Sequence, residues 1–217
     1  FIIMLFVLDE LSMNHFQKDS KNIYRVITEN KNHNIIMAQA SFLFGPAAKS
    51  EFPEVENYCR MISLGPIKVK KDNQWIDEEG FHFADPSVFS LLTFRFLEGK
   101  RENAITGANT VALSEYTVQK LFGHVNAIGN TIKVSIKGEE QILTVTAVFA
   151  NLPESSSVNI AAVGNLDFGK RNLMKMLISY GNSDEKPTSD NSNEKLAEWK
   201  DSWDHTFYTN LLRISEE

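Results

Sequence analysis

The chain has 217 residues, a formal net charge of −6, 15 phenylalanines and one cysteine. Such a length is enough for one large domain or two small ones with a sizeable core. The acidic balance argues against nucleic acid or an anionic membrane surface as a partner. A single cysteine, Cys59, excludes an intramolecular disulfide and a cysteine-based metal cluster.

The chain opens on Phe1, and its first eight residues are all apolar. They fall short of the roughly 20 residues that span a bilayer. They also lack the basic start and small-residue cleavage site of a signal peptide. Two origins fit: a helix packed on the domain, or the end of a membrane helix whose earlier part has been removed. A helix is predicted over 2–18, with Leu8, Leu11 and His15 on one stripe and Met4 a turn earlier. Past Leu8 the character turns polar (Asp9, Glu10, Ser12, Asn14), which suits a helix passing from lipid into water.

A strand is predicted over 22–29, from Ile23, Tyr24, Val26 and Ile27, and a short helix over 42–52, stopped by Pro53. Ile67 and Val69 alternate with Lys68 and Lys70, so the only basic run, completed by Lys71, reads as a solvated strand face. Asp72-Asn73 turns the chain into Trp75 and Ile76, and Gly80 turns it again into Phe81 and Phe83. Asp85-Pro86 predicts a short helix ending near Leu92, with Asp85 as N-cap.

The clearest local unit is β-α-β-β over 110–149. A strand ends at Ser114, which caps a helix that stops at Gly123. Val118, Leu121 and Phe122 are expected inward and Lys120 outward. Two alternating strands follow: Ile132, Val134 and Ile136, then Leu143, Val145, Ala147 and Phe149. Residues 181–195 read as a polar loop, Trp199 and Trp203 as one face of a short helix, and 207–214 as a last strand.

Chemistry-bearing patterns are sparse. None of the five histidines forms H-x-x-x-H, and the i, i+4 pair His15 and Asp19 reads as a solvated helix end rather than a metal site. Asp204-His205 lacks a nucleophile elbow to serve. There is no phosphate-cradling glycine loop, so any ATPase lies on another chain or segment. The carboxylates of 77–79 and 139–140 sit beside turns and are expected to be solvated. No catalytic, cofactor-binding or metal-ligating residue is therefore assigned.

Five segments taken together resemble a known family. They are Leu8-Asp9-Glu10-Leu11-Ser12 with Asn22-Ile23-Tyr24-Arg25-Val26; Phe83-Ala84-Asp85-Pro86-Ser87-Val88-Phe89 with Leu97-Glu98-Gly99; 109–123 with Ala127-Ile128-Gly129-Asn130-Thr131-Ile132; Val145-Thr146-Ala147-Val148-Phe149 with Leu152-Pro153-Glu154-Ser155-Ser156; and Trp203 with Phe207-Tyr208-Thr209. In this order they resemble the MacB-like periplasmic core domain of FtsX-like ABC-transporter permeases, in the form common in Bacteroidetes. Met13-Asn14-His15 departs from the usual pattern, and 166–200 resembles it least.

The resemblance implies an α+β fold. Residues 1–18 would be the membrane-proximal helix, ending the first transmembrane segment. Residues 19–83 and 151–217 would form a split porter-like subdomain, and 84–150 an inserted sabre-like subdomain carrying the β-α-β-β unit. It implies a place on the periplasmic side of the inner membrane. A second permease copy and a cytoplasmic ABC ATPase subunit are the implied partners, with a periplasmic adaptor and outer-membrane channel as further ones, and no nucleic acid. The implied function is to transmit ATP-driven motion of membrane helices for efflux or lipoprotein release. The alternative is an interaction module that regulates a periplasmic cell-wall hydrolase. Neither reading makes the chain an enzyme or gives it a cofactor.

Overall fold

A computed structural model describes residues 14–30, 35–123, 126–136, 138–181 and 206–215. Twelve strands join in one mixed sheet. In chain order they are β1 (Ile23–Arg25), β4 (Ala40–Ser41), β5 (Val55–Ser63), β6 (Ile67–Lys71), β7 (Gln74–Glu78), β8 (Phe81–Ala84), β9 (Phe96–Glu98), β10 (Thr110–Ser114), β11 (Thr131–Ile136), β12 (Glu139–Phe149), β13 (Ala162–Asn165) and β14 (Thr206–Ile214). The spatial order is β1-β14-β5-β8-β13-β10-β12-β11-β6-β7, with β4 beside β14 and β9 beside β12. Pairing is parallel for β8–β13 and β10–β12 and antiparallel elsewhere. The short strands β2 (Thr28–Asn30) and β3 (Ile35–Met37) form a separate hairpin.

Side-chain alternation gives the sheet two apolar faces. Ile62, Phe83, Val111, Leu113 and Ala162 point to one face, beneath Leu166 and Phe168 of α4 (Leu166–Gly181). The helices α1 (Phe44–Glu51) and α3 (Glu115–Phe122) pack there too. Their neighbours in sequence, Met61, Ala84, Ala112 and Val163, point to the other face, under α2 (Val88–Leu91). On that second face Phe94 meets Phe89 and Phe149 edge-on, with centroids 5.0 and 5.1 Å away. The small alanines of the sheet leave room for these rings.

The β-α-β-β unit forms, but a bulge in β12 between Val145 and Ala147 breaks its single apolar face: Leu143 and Val145 stay on the first face, and Ala147 and Phe149 turn to the second. Ser114 Oγ accepts from the Thr117 amide, and Gly123 ends α3 at φ 74°, a conformation open to glycine. Asp72 and Asn73 both take positive φ (46° and 65°), which a two-residue hairpin of primed type requires. Phe81, Phe83 and Phe149 are fully buried, whereas the Phe207 side chain lies outside the described residues.

Several expectations need correction. The helix does not run to Lys18: residues 14–18 are turns, and Asn14 sits at φ 61°, which a right-handed helix cannot contain. The rest of that predicted helix lies outside the described residues. The strand expected over 22–29 breaks after Arg25, because Thr28 and its neighbours leave the sheet to pair with β3. Asp85 is not a helix cap; its carboxylate is held by Arg60.

Lys120 does not point into open water, since it reaches Glu78, whose side chain is buried rather than solvated. The fully buried residue of α3 is Thr117, bonded to the Ala161 carbonyl, while Val118, Leu121 and Phe122 are half-buried against the core. Residues 182–205, with most of the expected loop, both tryptophans and Asp204-His205, lie outside the described residues; Gly181 belongs to α4.

Candidate functional site

The entry segment, 14–19, is fastened to three separate parts of the fold. The Asn14 amide donates to the Ser155 carbonyl at 2.8 Å. The Asn14 side chain donates to Ser157 Oγ (2.9 Å) and accepts from the Ser157 amide (3.0 Å). Gln17 Oε1 accepts from the Thr93 amide at 2.6 Å, and the Lys18 amide donates to Thr93 Oγ1 at 3.0 Å. Asp19 pairs with Arg213 at 3.1 Å. Arg213 lies on β14, which is zipped to β1 through Ile23, Tyr24 and Arg25. The first described segment and strand β14 are thus bound side by side. Asn14 can hold this geometry because asparagine tolerates the left-handed region better than other non-glycine residues.

Beside this clamp lies a groove of about 580 Å³ on the second face of the sheet. Its floor is β1, β14, β5 and β8. Met61, Thr209, Leu211 and His82 line it, with Phe94 and Ile160 at its walls. His82 Nε2 donates to the Asn159 carbonyl at 3.1 Å. Burial holds His82 below its ordinary value near 6.5, against the opposing effect of that hydrogen bond.

The folded domain therefore takes up this proton at lower pH than the unfolded chain does. Stability from this group is fully present above pH 6.5 and declines as pH falls from there toward the folded value. Urea titrations from about pH 7.5 to about 5 should show this slope in the wild type, and His82→Gln should remove it.

A buried pin lies on the opposite face. Arg60 Nε and its backbone amide both donate to Asp85 Oδ2 (2.8 and 2.9 Å), and a terminal nitrogen donates to Oδ1 (2.8 Å). The guanidinium stacks 3.8 Å from the centroid of Phe42, whose ring also carries Lys170 of α4 at 3.6 Å. Burial alone would lower the Arg60 value; the hydrogen bonds and charge of Asp85 outweigh it, so the net shift is upward. Cys59, next to the pin, is fully buried, and burial, aided by the Asp85 charge, pushes its thiol far above the ordinary range. It is inert as a nucleophile or metal ligand.

The other residues weighed as chemistry do not converge. His15 is exposed, and Asp19 is engaged by Arg213. Among the described residues no group of three or more His, Cys, Asp or Glu is placed to hold a metal. Among them, too, no helix is long and apolar enough to cross a membrane. The clamp and the pin were missed in the sequence. The one available signal for the clamp was Asn14 itself, standing where the family pattern is broken.

The model of the MacB-like periplasmic core domain matches residues 1–179. The chain belongs to that family. It is accordingly the periplasmic domain of a MacB- or FtsX-like ABC-transporter permease, a family that is not a known enzyme class and whose permeases work with ABC ATPases.

Solved structures share the MacB-like fold at low identity. A domain of a protein described as a permease from Porphyromonas gingivalis is 20% identical with a TM-score of 0.68, the match covering 92% of this chain and 77% of that one. The periplasmic region of MacB from Actinobacillus actinomycetemcomitans is 11% identical with a TM-score of 0.57, covering 95% and 78%. The extracellular domain of the noncanonic ABC-type transporter YknZ from Gram-positive bacteria is 11% identical with a TM-score of 0.54, covering 90% and 84%. No curated protein matches the chain.

Proposed function

We propose that this domain carries ATP-driven motion of the permease's membrane helices into the periplasm, working as one of two copies to drive export of a substrate. The observation that supports this is the clamp: segment 14–19 is bonded at once to the 155–157 loop, to Thr93 and to Arg213 on β14. A displacement arriving through residue 14 pulls on all three rather than on a flexible tether. In this reading 84–150 is the smaller inserted part, and 19–83 with 151–217 the larger. The two move together, since β10 pairs with β13 and β11 with β6. The ATPase is cytoplasmic, and a periplasmic adaptor and outer-membrane channel would receive the stroke.

Asn14→Pro tests this in the full-length transporter. Proline lacks the amide that reaches Ser155 and is locked near φ −65°, opposite in sign to the observed 61°. ATP hydrolysis should persist while export falls severalfold. Asn14→Gly keeps the backbone geometry and loses only the Ser157 bonds, so it should fall less. Paired surface cysteines on the two copies should crosslink differently with and without ATP in the wild type, and alike in Asn14→Pro. Cys59 can stay in place, because its buried thiol does not compete for reagent. Export at the wild-type level in Asn14→Pro would overturn the reading.

A further inference from the structure

We propose that the groove beside the clamp binds a small organic anion with an apolar body. The volume, about 580 Å³, falls within the roughly 300–1,000 Å³ of ordinary small-ligand sites. Its make-up is that of such a site: an apolar floor from Met61 and Leu211, apolar walls from Phe94 and Ile160, and hydroxyl and amide groups around them.

Charge selects the ligand. The chain carries 28 acidic residues against 22 basic ones, yet no Asp or Glu stands among the described residues that line the groove. The permanent charge there is Arg25. Its side chain is exposed at the rim; Nε donates to the Ala38 carbonyl at 3.3 Å, and its terminal nitrogens have no carboxylate partner among the described residues. A guanidinium with its terminal nitrogens left open presents paired donors to a carboxylate or sulfonate. His82, held neutral by burial, adds no competing demand.

Register sets the length of the ligand. Arg25 is directly opposite Leu211, and Thr209, two residues along β14 on the same face, is opposite Met61. Strands lie about 4.8 Å apart, so the anionic group and the middle of the apolar floor are separated by on the order of 10 Å. A body of two or three rings, or its aliphatic equivalent, spans that distance. A cationic ligand would meet Arg25 with no carboxylate among the described lining residues to offset it, so the same groove discriminates against it.

The test uses 8-anilinonaphthalene-1-sulfonate as probe and N-phenyl-1-naphthylamine as the same body without its charge. The sulfonate should bind the wild-type chain saturably at one site. Arg25→Gln should weaken it about tenfold while leaving the neutral amine unchanged. Thr209→Glu, which places a carboxylate on the floor, should abolish sulfonate binding and spare the amine. Circular dichroism and thermal melts confirm that both variants are folded, so that dye taken up by a loosened core is not mistaken for the site. Absence of saturable sulfonate binding would overturn the proposal. So would equal affinity in all three chains, or parallel loss of both dyes in Arg25→Gln.

Discussion

Replacing Phe83 with alanine should lower the unfolding free energy by about 3–5 kcal/mol, as a fully buried ring leaves a cavity that its neighbours fill only in part. Phe83 is fully buried on β8, stacked on Phe168 of α4 at 5.2 Å. Two glycines make room for it. A Cβ at Gly164 would lie 2.7 and 2.8 Å from ring carbons of Phe83, and one at Gly169 would lie 2.3 Å from its Cβ. The two contacts predict different couplings. Gly164→Ala should overpack the wild-type core but add little once Phe83→Ala has removed the ring. Gly169→Ala should remain costly in that background, because alanine keeps the Cβ it strikes. Denaturant titrations of the two double-mutant cycles measure this, and equal couplings at 164 and 169 would contradict the packing of α4 on β8.

Asp85→Ala should cost about 3–5 kcal/mol, the usual penalty for stranding one member of a buried ion pair. The side chains of Arg60 and Asp85 are 12% and 14% exposed, and Phe42 covers the guanidinium. Asp85→Asn should cost less, since one acceptor oxygen remains for the Arg60 donors. Arg60→Lys should cost more than its charge suggests, because an ammonium cannot reproduce the fork or the flat stacking surface. The double replacement Arg60→Met with Asp85→Leu should fall well short of the sum of its singles. Additive losses in that cycle would show that the two residues act independently.

The β-α-β-β unit was readable because each of its signals is local. Ser114 caps from three residues away, Gly123 takes the positive φ, β11 alternates throughout, and β12 alternates as far as its bulge after Val145. The centre of the sheet was not. β5 hides its period behind Asn57, Tyr58 and Arg60; Asn57 answers to Ser90, and Arg60 makes sense only against Asp85 and Phe42. β13 is four residues long and buried on both sides, so it has no polar face to alternate with. α4 carries Gly169 where it presses on Phe83, and a buried Asn172 that bonds Gln141, which blurs its apolar stripe. The same logic applies to the candidate sites. The clamp joins residue 14 to 155–157, and the groove joins β1 to β8, so neither leaves a pattern within one window of sequence.

The position of β14 sets the order in which the domain can be completed. The last of the described strands is not at a margin of the sheet; it is inserted between β1 and β5 and also carries β4. Its Asn210 reaches back to the Ser41 carbonyl across 169 residues. Until β14 arrives, β1 has no strand to join among the described ones, and the flank of β5 that β14 will cover stays open. Closing so long a loop costs entropy before any contact rewards it, which slows the step. During synthesis the larger part of the sheet, from β5 to β7, can assemble first, while the entry segment remains only half attached. The pair between Asp19 and Arg213 therefore forms only once β14 has joined the sheet.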